Sequence, residues 1–158
     1  MCITERPGAK HTGPFAIQPT IEDTTMNQPN NAHVVNARII ITDEFCANVM
    51  SGALEGGIGY WCAAGNIKRE PFLPLPGESF EYLSFDAYDA EDHNNQFGVV
   101  TYGTIRLGVE RLLTGVVKTH YSVLGRLLAD ACGNAGAMDS CDYDVIVQAG
   151  LFNEVVFG

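Results

Sequence analysis

The chain is short of positive charge. Its 158 residues hold 19 Asp and Glu against 9 Lys and Arg, a formal net charge of −10. That field repels phosphate backbones, which excludes broad binding to DNA or RNA but leaves room for a local basic pocket that takes one small anion. Long apolar runs are also missing. Nothing approaches the roughly 18 consecutive apolar residues of a membrane span, and MCITERPGAK lacks the apolar centre of a secretory signal. Cysteine is sparse and odd in number: Cys2, Cys46, Cys62, Cys132 and Cys141, with no CxxC pair. This pattern favours reduced thiols packed as small apolar groups in a cytoplasm over a disulfide framework. The histidines (His11, His33, His93, His120) form no HxH or HxxxH, and P-loop, GxGxxG and GxSxG motifs are absent. No catalytic residue, metal or cofactor is therefore expected.

What is present is apolar content and pattern. At 46% hydrophobic residues, a chain of this length builds one domain with a real core. Residues 1–32 are rich in Pro, Thr, Asn and Gln without a sustained period, and predict an extended or flexible arm ahead of a single domain, 33–158. VVNARIIIT, Val34 to Thr42, predicts a strand. Thr42 or Asp43 then caps a helix carrying Phe45, Val49 and Ala53. NIKREPF and FGVVTY read as strands. Between them FEYLSFDAYDAED alternates, with Leu83, Phe85 and Ala87 on one face and Phe80, Tyr82, Ser84, Asp86 and Tyr88 on the other. Thr104 is the expected N-cap of a second helix with Ile105, Val109, Leu112, Leu113 and Val116 on its apolar face. A third helix carries Leu124, Leu127, Leu128 and Ala131, and a fourth opens at Asp139 or Ser140. The order strand, helix, strands, helices predicts an α+β fold: a small antiparallel β-sheet with helices packed on one face.

The densest signal is ALEGGIGYW, Ala53 to Trp61. Glycine costs a helix about 1 kcal/mol relative to alanine, so a cluster of them either ends the helix or admits a close neighbour. One reading is helix packing at short range, with Trp61 as a core anchor. The other is a pocket in which Gly56 and Gly57 form the floor, Tyr60 or Trp61 a wall, and Glu55 a polar contact. Elsewhere Arg106 and Arg111 flank the second helix, and Arg106 falls in its first turn, a fair setting for a phosphate. The acids Asp86, Asp89, Glu91 and Asp92 with His93 could bind a cation, yet the EF-hand spacing fails and a solvated turn is the simpler reading.

ALEGGIGYWC together with IVQAGLFNEVVFG resembles a group of small bacteriophage and prophage proteins that pair an "ALEGGI-YW" motif with a C-terminal "Q-ALFGE-VYG" motif. Asn153 stands at that group's glycine and Phe157 at its tyrosine. Asparagine also tolerates the left-handed geometry of a helix end. Some small phage proteins of similar size and α+β build are anti-defence sponges that sequester nucleotide immune signals such as cyclic ADP-ribose isomers. The resemblance implies a non-enzymatic, homo-oligomeric binder of a small nucleotide-like ligand in the host cytoplasm. Tyr60, Trp61 or Phe85 would stack on the base, Arg106 and Arg111 would neutralise phosphate, and Asp86 or Asn95 would bond ribose or base edges. Two other readings stand beside it: a structural or oligomeric interaction protein with no small ligand, and a metal-dependent hydrolase built on the 86–93 acids.

Overall fold

Thr42 starts the first helix. Its side-chain oxygen accepts a hydrogen bond from the Phe45 amide at 3.1 Å, and Asp43 and Glu44 fill the first turn, where the helix dipole favours acids. The computed structural model describes residues 38–71, 80–133 and 136–158, so the expected arm, 1–32, lies outside the described residues. Helix α1 spans Asp43–Gly52 and buries Phe45, Cys46, Val49 and Met50. It widens into a π turn, Ala53–Gly57, closed by the Ile58 amide on the Ala53 carbonyl at 3.1 Å.

Three antiparallel strands follow in the order β1-β2-β3: β1 Cys62–Pro71, β2 Phe80–Asp89 and β3 Gln96–Thr101. Phe85, Ala87 and Val100 are buried on the inner face. The margin β1 is irregular. Its register against β2 shifts between Gly65 and Lys68 and again between Lys68 and Arg69, and Asn66 has φ of 44°. The second shift breaks the expected alternation: Tyr82 packs against the core. A bulge reverses which residues face inward, and no sequence period encodes it.

Helix α2, Tyr102–Leu113, is capped three residues before the expected Thr104. Thr101 is the N-cap, and Thr104 completes a reciprocal capping box from the N3 position. The helix ends at Leu113; Gly115 then takes φ of 73°, and Val116 is exposed rather than part of the apolar face. Helix α3 is Tyr121–Ala131, of which Leu127 alone is buried. Helix α4, Ser140–Phe152, is capped by Asp139 and ends at Asn153, whose φ of 61° is the left-handed geometry expected there. The class is α+β. No helix among the described residues is long and apolar enough to cross a membrane.

The expected first strand is corrected. Val34–Ala37 lie outside the described residues, and residues 38–42 join no sheet. Ile41 packs against the core, and Ile39 and Ile41 line an apolar cleft with Val109 and Leu113 of α2. The β-branched run meets a helix instead of a neighbouring strand.

Candidate functional site

The glycine-rich stretch lies against α4. A Cβ at Gly57 would come 2.7 Å from the Ser140 carbonyl oxygen, and one at Gly52 would enter the Tyr143 ring. The same device recurs between α2 and α4: a Cβ at Gly108 would lie 2.2 Å from the Ile146 carbonyl oxygen. Glycine here sets the distance between helices. Gly56 and Glu55, by contrast, face outward. Glu55 lines a shallow cleft of about 320 Å³ with Asn48, Ser51, Asp130 and Tyr143.

Trp61 is 4% exposed. Phe157 stacks on it with ring centroids 4.9 Å apart and planes 3° from parallel, and Phe152 and Phe97 close its other sides at 5.6 and 5.9 Å. Its indole N–H donates to Asp144 Oδ1 at 2.7 Å. The Tyr60 ring is 58% exposed, yet its hydroxyl reaches back to Asp144 Oδ2 at 2.8 Å. Burial, and then the hydrogen bond and charge of Asp144, push the Tyr60 phenol up to about 12. Gln148, fully buried one turn along α4, donates Nε2 to both Asp144 oxygens at 2.9 Å. Its amide also grips the chain end: Nε2 donates to the Phe157 carbonyl at 3.0 Å, and Oε1 accepts the Val156 and Phe157 amides at 2.8 Å each. One side chain thus holds three backbone groups of Val156 and Phe157. Burial also raises the neighbouring Cys62 thiol to about 11.

The arginines serve other contacts. Arg111 donates Nη1 to the Ala149 and Gly150 carbonyls at 2.7 and 2.9 Å, satisfying acceptors that the last turn of α4 leaves open. Arg106 pairs with Asp43 and stands 6.0 Å from the Tyr102 ring centre. Arg126, absent from the sequence-based site, makes a two-pronged pair with the buried Asp142 at 2.6 Å on each prong.

Phe85 is fully buried in the core. Asp86 accepts from Asn66 Nδ2 and, at 3.4 Å, from the Tyr88 hydroxyl. Asn95 donates to Asp89, whose carboxylate also takes the Glu91 and Asp92 amides and is held below its ordinary range chiefly by the Glu91 amide. The acidic stretch is thus a turn tied by its own backbone. Among the described residues no group of three or more His, Cys, Asp or Glu is placed to hold a metal ion.

The structure therefore joins Gly57, Tyr60 and Trp61 with Asp144, Gln148 and Phe157. Glu55 lines a separate cleft, and Arg106, Arg111, Phe85, Asp86 and Asn95 have the partners described. Sequence reasoning missed Asp144 and Gln148. Their signal was present: two polar residues spaced i, i+4 in a helix otherwise rich in buried apolar residues (Ile146, Val147, Ala149) must satisfy each other or a neighbour. Comparison with protein-family models, curated proteins and solved structures finds no match to the chain.

Proposed function

We propose that the chain is a non-enzymatic interaction protein that works through its surface against other macromolecules. What carries this reading is how the fold uses the groups an anion-binding pocket would need. The indole face that would stack on a base is covered by Phe157. Arg111 is committed to helix carbonyls and Arg106 to Asp43. The outer surface meanwhile carries large apolar side chains, among them Ile40, Val116, Tyr121 and Val156. Of these, Tyr121 shares one side of α3 with the exposed Leu128, and large apolar groups exposed together favour contact with another protein.

Thermal melting against a panel of nucleotides, with mass spectrometry of small molecules released on denaturation, tests the reading. The expected result is an unchanged melting temperature, no retained small molecule and no product. A nucleotide that stabilises the fold and returns intact on denaturation would overturn it in favour of sequestration. A nucleotide that is consumed would overturn it in favour of an enzyme.

A further inference from the structure

Helix α3 turns its charges toward its own domain and its apolar side outward. Arg126 holds Asp142, and Asp130 accepts the Gly136 and Ala137 amides at 2.9 and 3.3 Å. The exposed positions are Tyr121, Gly125 and Leu128. Spaced i, i+4, i+7, they form one stripe. Tyr121 is 79% and Leu128 38% exposed, and Val116 just ahead is 62% exposed. A surface helix ordinarily keeps polar residues on that side. Gly125 sits in the middle of the stripe. A Cβ there would meet nothing within 4 Å, and the backbone is not left-handed. Nothing within the described fold requires glycine at a position where it costs about 1 kcal/mol relative to alanine. Close approach of another helix from outside does require it.

Complementarity between Lys118, just ahead of the helix, and Asp130, in its last turn, favours a second copy as the occupant. Residues 111–129 contain Arg111, Lys118 and Arg126 and no acid, in a chain of net charge −10. Two copies meeting through this segment do not oppose carboxylates. Resting on the interaction reading above, we propose that α3 forms a two-fold contact between two copies of this chain, crossing antiparallel at Gly125. Tyr121 of each copy then packs against Leu128 of the other, as a self-complementary patch requires. The same crossing brings the Lys118 end of each helix to the Asp130 end of the other. There the ammonium meets both a carboxylate and the negative end of the helix dipole.

Light scattering coupled to size exclusion, run over a dilution series, tests the contact. The expected result is a wild-type dimer that dissociates on dilution, with Gly125→Gln and Leu128→Glu monomeric throughout. Gly125→Gln keeps or raises the melting temperature of the monomer, because its new side chain has open space, so a lost dimer is not a lost fold. A dimer that persists in both variants overturns the α3 contact. A wild type that is monomeric at every concentration also overturns it, yet leaves the interaction reading standing if nucleotides do not move the melting temperature.

Discussion

Asp144 is the residue on which the two sequence motifs converge. It accepts from Trp61, Tyr60 and Gln148, and Gln148 in turn holds Val156 and Phe157. Asp144→Ala strands the buried indole N–H and leaves the Gln148 Nε2 only its bond to the Phe157 carbonyl, at about 1–3 kcal/mol for each orphaned donor. Urea unfolding is therefore expected to show a loss of about 2–6 kcal/mol. Phe157→Ala uncovers one face of the chain's single tryptophan. Its emission moves to longer wavelength and becomes more accessible to acrylamide, while the far-ultraviolet circular dichroism stays close to wild type. An unchanged emission maximum would show that the stack does not seal the ring. Tyr60 gives a pH signature. Its phenol rises from 10.0 to about 12, so the folded chain holds that proton more tightly than the unfolded chain does. The contribution is complete below pH 10 and is lost as pH climbs through about 12. The raised Cys62 thiol, about 11 against an ordinary 9.0, adds a loss of the same sign. Melting temperature falls across this alkaline window, and falls less steeply in Tyr60→Phe, which is already weaker at neutral pH for want of the bond to Asp144.

Among the elements, the glycines divide into those that set helix spacing and those that do not. Gly57→Ala drives a methyl into the Ser140 carbonyl, and Gly150→Ala drives one to 2.3 Å from the Thr104 carbonyl oxygen. Each forces packed backbones apart, at about 1–3 kcal/mol or more. Gly56→Ala meets nothing within 4 Å, and its backbone is not left-handed. It gains about 0.4–1 kcal/mol by restricting the unfolded chain. Chemical denaturation of these variants separates the packing role from the conformational one, and equal effects at 56 and 57 would refute the distinction. The same contrast shows what the sequence makes legible. Cap residues at Thr42 and Asp139, the alternation through Phe85 and Ala87, and the left-handed end at Asn153 are local chemistry and can be read directly. The Ile39–Ile41 run looks like a strand because β-branched residues suit one, but pairing depends on a partner strand that the local pattern does not specify. Thr101 and Thr104 are chemically equal cap candidates, separated only by the geometry in which one accepts from the other. The register shifts between β1 and β2 are invisible for the same reason. At the site, GGIGYW marks where glycine backbone meets α4 and where Tyr60 and Trp61 reach Asp144. What it cannot reveal is that the covering partner of Trp61 is Phe157, far along the chain.

For the whole molecule, an acid-rich chain associates with itself most readily through a segment free of acids, as residues 111–129 are. If α3 mediates pairing, melting temperature rises with protein concentration, because association stabilises the folded form by mass action. Added salt has a small effect on the dimer, since its centre is apolar, whereas Lys118→Glu weakens it. A melting temperature independent of concentration would count against any self-association. The irregular margin of the sheet bears on how such assembly ends. Lys68, Arg69, Glu70 and Pro71 occupy β1, one of the two outer strands among the described residues, beside its bulge, and charge, proline and local twist each spoil a strand as a template for another strand. Growth by adding sheet to sheet is discouraged along that border. Association through a two-fold helix contact consumes its own surface and stops at a pair. Warm, concentrated solutions of the protein are accordingly expected to stay clear, where an open border would seed fibres.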